Sequence, residues 1–376
     1  MIRFKIRTIT TFLFILVAVT VFSQNPLRLR NEILDKKIQD STKGLFIEGW
    51  SIGNPAVLKH FIDLANRTEI NTYVTDVKED DGYVSYPSEV EEVKQLKNWI
   101  PKYDPVMVLN ELHKNNIRVI GRIVCFKDPV MSAKRPDLAL MNKNGQIWKD
   151  AEGTTWLNPY NKKCWKYLVN IAKEATNKGF DEIQFDYVRF TNNGDLSTID
   201  YGKTKLKKYE TINKFLAFAR RQMPHTIISA NVFGIICESE KDTEGIGQYL
   251  ELIGKNIEYI SPMVYPFLYA PGQTVNNVVF PKPDLDPYGV VYNAVTKAKA
   301  RIDAVKNYRA KLRPYLQDST ESDLGPGYFQ AYGAEQVRQQ IDAVYKAGGK
   351  SWFFWNSENQ YSEDAFLPKT LANKKG

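Results

Sequence analysis

Eight strand-like runs alternate with helical stretches along the chain, and this alternation constrains the fold more than any other feature. The runs are short, apolar and mostly bounded by Gly, Pro, Asn or Asp. Strands alternating with helices favour a parallel sheet, and eight such units predict a closed (β/α)8 barrel. The predicted strands are Gly44–Trp50, Ile70–Lys78, Ile117–Phe126, Glu182–Phe190, Thr226–Gly234, Ile257–Pro266, Lys311–Asp318 and Ser351–Asn356.

An open, doubly wound sheet is the alternative arrangement of the same units. That fold calls for a glycine-rich phosphate-binding turn after an early strand. The turn after Trp50 reads Ser-Ile-Gly-Asn-Pro, which lacks the GxGxxG and P-loop patterns. The α/β fold predicted is therefore the closed TIM barrel, with elaborated strand-to-helix loops at Glu79–Pro101 and Phe267–Pro287.

Amphipathic segments between the predicted strands indicate the helices of the barrel. Pro55–Arg67 places apolar side chains at helical spacing. A second helix is expected after Asp104, whose carboxylate can cap it, with Pro105 at the first helical position. Further helices are predicted at Asn161–Lys178, Thr204–Met223, Tyr288–Arg309 and Ala334–Ala347.

The amino terminus has the layout of a secretory signal peptide. Three basic residues precede the apolar run Thr11–Phe22, and Ser23 offers a small residue for cleavage before Gln24. The run is shorter than the roughly 20 residues that a membrane span needs. We therefore predict a signal peptide at 1–23, a lead-in at 24–43 and one (β/α)8 domain at 44–370. Cleavage would leave a periplasmic or extracellular protein without a stable membrane anchor; an uncleaved anchor is the alternative.

The net charge, the cysteines and the histidines limit which partners, metals and cofactors are expected. Loss of residues 1–23 removes three positive charges and no negative ones, which lowers the net charge from +8 to +5. Such a charge suits an anionic polymer or an envelope surface without requiring one. Export argues against nucleic acid as a partner. The three cysteines are too scattered for a CxxC metal site, and the three histidines lie away from strand ends, so we expect neither a metal nor another cofactor.

Side-chain alternation separates the barrel interior from the side that faces the helices. On the fourth predicted strand, one face carries Ile183, Phe185 and Tyr187, and the other carries Gln184 and Asp186. The apolar face should meet the helices, so Asp186 is expected to point inward at the carboxyl end of the strand, where TIM-barrel active sites lie. The same reasoning predicts that further polar residues point inward. They are Asp76, Lys78, Arg122, Ser229, Asn231, Arg313, Tyr315 and Gln317.

Inward carboxylates without histidine suit glycoside hydrolysis. That reaction needs one carboxyl group to protonate the leaving oxygen and a second as nucleophile or base. The candidate acids are Asp76, Asp318 and Glu48, of which Asp76 is favoured, although nearby Lys78 would lower its pKa. Each carboxylate, Asp186 included, also has a structural alternative as an ion-pair partner, a cap or a core group. The predicted substrate-binding residues are Trp50, Lys78, Arg122, Gln184, Arg189, Asn231, Tyr265, Gln317 and Trp355.

The run Gly179–Phe190, GFDEIQFDYVRF, resembles the signature of the "putative glycoside hydrolase domain" family. That family is a (β/α)8 group distantly similar to alpha-amylase-type barrels, and the similarity runs in order from about Gly44 to Tyr361. Further matching segments are Thr75–Lys78, Asp80–Gly82, Asn231–Gly234, Gly245–Gln248, Ile260–Pro266, Arg313–Asp318 and Trp352–Asn356.

The resemblance to amylase-type barrels implies that Asp186 is the nucleophile. We expect Arg122 and Arg189 as the neighbours that keep it charged. Amylase-type barrels carry their general acid at the end of the fifth strand, where the family usually reads Ala-Asp-Val-Phe-Gly. This chain has Asn231 in place of that Asp, and a neutral amide does not donate a proton as a carboxylic acid does. Two hypotheses stay open: a secreted glycosidase that cuts an envelope or extracellular polysaccharide with another acid, and a barrel that binds a polysaccharide or oligosaccharide without cutting it.

Overall fold

The computed structural model describes residues 39–368. Residues from Thr42 onward belong to a unit distinct from Met1–Ser41. The predicted signal peptide and most of the lead-in lie outside the described residues. Within the described range, none of the helices has the length and apolar character needed to span a bilayer.

Eight parallel strands close into a barrel, which confirms the predicted fold class. Each strand pairs with the next along the chain, and the last pairs with the first. The seventh strand, β7, is interrupted and consists of Lys311–Leu312 and Tyr315–Gln317. The other barrel strands are β1 (Lys43–Ile47), β2 (Thr72–Lys78), β3 (Arg118–Val124), β4 (Glu182–Asp186), β5 (Ile227–Phe233), β6 (Tyr259–Met263) and β8 (Trp352–Trp355).

Among residues 39–368, six long helices surround the strands, close to their predicted positions. Asp104 caps the second helix by accepting from two backbone N–H groups, and Gly179 ends the third in the left-handed region at φ 112°. The helices are α1 (Pro55–Arg67), α2 (Pro105–Lys114), α3 (Lys162–Lys178), α4 (Lys208–Gln222), α5 (Pro287–Asp303) and α6 (Ala334–Lys346). Short helices occur at Gly49–Gly53, Glu91–Leu96, Pro129–Lys134 and Leu250–Ile253.

Long loops follow β2, β3, β4 and β6, all at the carboxyl end of the barrel. The loops predicted after β2 and β6 are confirmed, and the second contains a hairpin of Gln273–Val275 and Val278–Phe280. The loops after β3 and β4 were not singled out from the sequence. They join each other through an antiparallel ladder between Met141–Asn142 and Ile199–Asp200.

Strands β1 and β4 are among those that end earlier than predicted. Strand β1 stops at Ile47, because the Glu48 carboxylate accepts from the N–H groups of Trp50 and Ser51 and so starts a helical turn. Trp50 therefore lies on that turn with 56% of its surface exposed, not on a strand. Strand β4 stops at Asp186, because Tyr187 takes a positive φ of 44°.

The barrel interior is apolar in its middle and polar at both ends. At the amino end, Arg313 forms an ion pair with Glu182, the first residue of β4. The Arg313 guanidinium also stacks 4.0 Å from the ring centre of Tyr259, so the buried cation has a carboxylate and an aromatic face. One apolar cluster inside the barrel consists of Phe46, Val74, Ile120, Tyr265, Tyr315 and Phe353.

Candidate active site

Arg122 holds two carboxylates at the carboxyl ends of neighbouring strands. Its Nη1 lies 2.6 Å from Asp76 Oδ1 on β2, and its Nε lies 2.8 Å from Asp186 Oδ2 on β4. Register explains the contact, because Arg122 pairs with Asp76 on one side and with Gln184 on the other. All three side chains point inward as the alternation predicted. The contact brings together a cation and two acids, the groups that the sequence analysis placed in the site.

Asp76 is the more buried of the two acids. Only 2% of the residue is exposed, and burial raises the pKa of its carboxyl group to about 7 against the opposing charge of Arg122. The nearby carboxylates of Glu79 and Asp80 raise that pKa further. A carboxyl group with such a pKa is protonated for part of the time at neutral pH, as a general acid requires.

Asp186 is fixed by the turn that follows it. Its Oδ1 accepts from the N–H of Tyr187 at 2.7 Å, while Oδ2 accepts from Arg122. The left-handed backbone of Tyr187 costs on the order of 1 kcal/mol for a residue with a side chain. Both carboxylate oxygens therefore have fixed directions at the point where β4 ends.

Lys78 forms no ion pair with Asp76, although the sequence analysis placed the two side chains near each other. A register irregularity between Asp76 and Lys78 redirects the end of β2. The Lys78 ammonium lies 3.0 Å from Asp128 Oδ2 and donates to the carbonyl of Val124, and it is fully buried. The cation beside Asp76 is Arg122 instead, and the predicted role of Lys78 in substrate binding has no support in these contacts.

The two other candidate acids have protein partners. Asp318 accepts from the Ser362 backbone and hydroxyl at 2.8 Å each, and burial raises its pKa to about 6. Glu48 caps the turn after β1 and lies 3.4 Å from the ammonium of Lys102. Neither forms an ion pair with Arg122. Within residues 39–368, no group of three or more His, Cys, Asp or Glu side chains is arranged to hold a metal ion.

Three aromatic rings cluster at the carboxyl ends of β6 and β8. Tyr265 stacks on Phe267 with ring centres 5.8 Å apart and planes 2° apart, and Trp355 lies 6.4 Å from Tyr265. Burial raises the pKa of the Tyr265 hydroxyl, and the charges of Tyr315, Asp186 and Arg122 also act on it, which places this ring near the acids. Flat apolar faces of this kind suit sugar rings. Phe267 was missed from the sequence, although it follows the Tyr265-Pro266 pair that ends β6.

Three polar side chains on β4, β5 and β6 have buried atoms without a hydrogen-bond partner among the described residues. Gln184 accepts from the Tyr315 hydroxyl at 2.8 Å, which leaves its Nε2 unbonded. Asn231 on β5 pairs in register with Ser261 on β6, and Asn231 Oδ1 and Ser261 Oγ both lack a partner among the described residues. Buried polar atoms nearly always find partners, so a donor and two acceptors remain for a ligand or for water.

Two predicted binding residues are held by neighbouring loops. Gln317, the last residue of β7, accepts from the N–H of Phe267 at 3.1 Å and donates to Asp284 at 2.9 Å, so its amide ties both ends of the loop after β6 to β7. Arg189 lies among aromatic rings and forms no ion pair with Asp186, contrary to the expectation that it keeps this acid charged. Among residues 39–368, the cation paired with Asp186 is Arg122.

The model of a family described as "Putative glycosyl hydrolase domain" matches residues 44–361. The glycoside hydrolase domain of PgaB (BpsB) from Bordetella bronchiseptica is 12% identical, with a TM-score of 0.59, and the match covers 84% of this chain and 94% of that one. The alpha-galactosidase TtGalA from Thermus thermophilus, in complex with stachyose, is 11% identical with a TM-score of 0.51, over 92% of this chain and 68% of that one.

A hypothetical protein from Ruminiclostridium thermocellum is 52% identical over 50% of this chain and 96% of its own, with a TM-score of 0.48. No curated protein matches the chain. The similarity to the Bordetella and Thermus structures shows a shared barrel fold.

Proposed function

The chain belongs to the family of the "putative glycosyl hydrolase domain", and we propose that it hydrolyses a glycosidic bond of an extracellular or envelope polysaccharide. The observation that carries this proposal is the pair of acids on one guanidinium. Asp76 and Asp186 share Arg122 but differ in environment, and two carboxyl groups in unlike environments are what glycoside hydrolysis uses.

Asp186 acts as the nucleophile in this proposal. It accepts hydrogen bonds through both oxygens, from Arg122 and from the Tyr187 backbone, which holds it for attack on the anomeric carbon. The bond from that carbon to the leaving sugar breaks as the bond to Asp186 forms. Arg122 compensates the carboxylate charge before the attack and holds the carboxylate at a fixed angle.

Asp76 acts as the acid. Its proton moves to the oxygen of the leaving sugar, and in the second step Asp76 takes a proton from the water that releases the sugar from Asp186. Burial supports this role, because it raises the pKa of Asp76 to about 7. The rings of Tyr265, Phe267 and Trp355 supply stacking faces for the bound sugar.

Export is part of the same proposal. The basic residues before Thr11–Phe22 and the small Ser23 support cleavage and release to the periplasm or the medium. There the substrate would be a polysaccharide or oligosaccharide of the envelope or the surroundings.

Carbohydrate binding without cleavage is the second candidate function. Asn231 favours it, because this position carries the acid in amylase-type barrels and an amide does not replace that acid. The unbonded Asn231 Oδ1 would then accept from a sugar hydroxyl.

The test measures reducing ends released from a panel of envelope polysaccharides. We expect release by the wild type and a loss of at least about 10³-fold for Asp186→Asn. The matched control is Asp303→Asn, a surface carboxylate that pairs with Lys299 on α5. Binding without any release of reducing ends would instead favour the second candidate. Unfolding of Asp186→Asn, seen as a lowered melting temperature, would mark Asp186 as structural.

A further inference from the structure

Arg189 is a nearly buried cation three residues beyond Asp186, surrounded by aromatic rings. Its guanidinium carbon lies 4.4 Å from the ring centre of Phe233 and 5.1 Å from those of Trp156 and Tyr187. Only 8% of the residue is exposed. The ring faces attract a cation, but a guanidinium in this position has lost most of its hydration.

No carboxylate within ion-pair distance compensates this charge among residues 39–368. Burial is the largest influence on Arg189 and lowers its pKa, while the more distant charges of Tyr187, Asp186 and Asp150 oppose that shift. Asp186 is bonded to Arg122, and Asp150 accepts from the Trp156 indole at 2.9 Å. The guanidiniums of Arg122 and Arg313, by contrast, each have a carboxylate partner inside the barrel.

One edge of the Arg189 guanidinium is open. Nη1 donates to the carbonyl of Phe190 at 3.0 Å and to Asn192 Oδ1 at 3.2 Å. Nε and Nη2 make no hydrogen bond to the part of the chain that the structure describes. These two nitrogens form the parallel pair of donors that binds both oxygens of a carboxylate.

A second cation lies beside the same ring. The Lys127 ammonium, on the loop after β3, is 5.2 Å from the ring centre of Tyr187. It pairs with Asp80 at 3.2 Å, so its charge is balanced, whereas the charge of Arg189 is not. The surplus positive charge at this side of the site therefore belongs to Arg189.

We propose that Arg189 binds a carboxylate of the substrate, so that the polysaccharide is an acidic one containing uronic acid residues. This inference rests on the proposed function, since it requires a sugar at Asp186. Nε and Nη2 donate in parallel to the two carboxylate oxygens, and the three rings keep the guanidinium fixed before the sugar arrives. A sulfate ester offers a related oxyanion, but its tetrahedral shape matches the planar fork less closely.

The test compares binding of the full chain to a glucuronate-rich polysaccharide and to the same preparation after its carboxyl groups are reduced to alcohols. Calorimetry should give at least about tenfold tighter binding to the acidic polymer, equal to about 1.4 kcal/mol. We expect Arg189→Met to remove this preference and Arg189→Lys to retain only part of it, because an ammonium lacks the fork. Arg221→Met is the matched control, since Arg221 is an exposed arginine on α4; its preference should equal that of the wild type.

Equal binding of the two polymers by the wild type would overturn the inference. So would an equal loss of preference in Arg221→Met and Arg189→Met, which would indicate general charge attraction. Tighter binding to dextran sulfate than to the uronate polymer would overturn the carboxylate assignment. If Arg189→Met does not fold, the wild-type preference and Arg189→Lys decide the question.

Reducing-end release in the same samples separates the two proposals. Acid-selective binding without cleavage supports the role of Arg189 and contradicts hydrolysis. Cleavage of the reduced polymer without any acid preference supports hydrolysis and contradicts the role of Arg189.

Discussion

Asp76 and Asp186 accept hydrogen bonds from different nitrogens of one guanidinium, at 2.6 and 2.8 Å. The two acids belong to strands β2 and β4, and Arg122 between them belongs to β3. A buried network of this kind adds little net stability when complete, because desolvation offsets attraction. Removal of one member is costly, since it leaves a charge unpaired.

Arg122→Met should therefore lower the free energy of unfolding by roughly 3–5 kcal/mol. Urea denaturation measures this loss. Arg135→Met is the control, because Arg135 pairs with Asp137 at the surface, where such a pair contributes at most about 1 kcal/mol. Adding Asp76→Asn to Arg122→Met should restore part of the loss, because one unpaired acid disappears. A loss in Arg122→Met no larger than in the control would show that the acids do not depend on this guanidinium.

Activity should fall as the pH rises through about 7. The reason is that Asp76 donates a proton, and its pKa is raised to about 7, so the active protonated form is lost above that value. A profile of kcat/KM against pH between 4 and 9 would show this alkaline limb. Asp76→Asn should lower kcat by roughly 10²–10⁴-fold.

Asp318 provides the contrast for the same experiment, because its pKa is raised to about 6. Asp318→Asn should keep the alkaline limb near 7. If the wild-type activity instead fell near pH 6, and this fall disappeared in Asp318→Asn, the general acid would be Asp318 and not Asp76.

Asn231→Asp should increase hydrolysis if the barrel lacks only its usual proton donor. The side chain is 4% exposed, so burial would raise the pKa of the new carboxyl group and keep it partly protonated. Initial rates of reducing-end release measure the gain. Asn110→Asp, at an exposed position of α2, is the matched control. A folded Asn231→Asp variant with no gain would show that the missing acid is not what limits activity.

Amino-terminal sequencing of the protein from its native host should begin at or near Gln24. The basic start and the apolar run Thr11–Phe22 are the features that a signal peptidase pathway uses. An intact Met1 terminus in the cytoplasmic fraction would contradict export.

The sequence predicted the barrel well because its signals are local. Apolar periodicity located Pro55–Arg67 with the bounds observed, and the cap at Asp104 follows from its own chemistry. Alternation also gave the inward direction of Asp186. These features depend on a few consecutive residues, which a single chain displays directly.

Contacts between distant segments were harder to predict. Side-chain alternation predicted that Lys78 points inward beside Asp76. The strand has a register irregularity between these two residues, and the Lys78 ammonium pairs with Asp128 instead. Arg189 was expected to pair with Asp186, but its guanidinium lies among aromatic rings from other segments and forms no ion pair with that acid. The loop after β3 did carry a usable signal, since Asn144-Gly145 is typical of a tight hairpin turn.

The ladder between Met141–Asn142 and Ile199–Asp200 has a consequence for how this barrel could acquire a new specificity. The loops of a TIM barrel ordinarily vary one at a time, because each is anchored to its own strand. Here the loops after β3 and β4 share backbone hydrogen bonds, including one of 2.9 Å from Lys143 to Thr198. A chimera that exchanged one loop alone would break this ladder. The natural unit of recombination is therefore the continuous segment 125–207, which carries both loops together with α3 and β4.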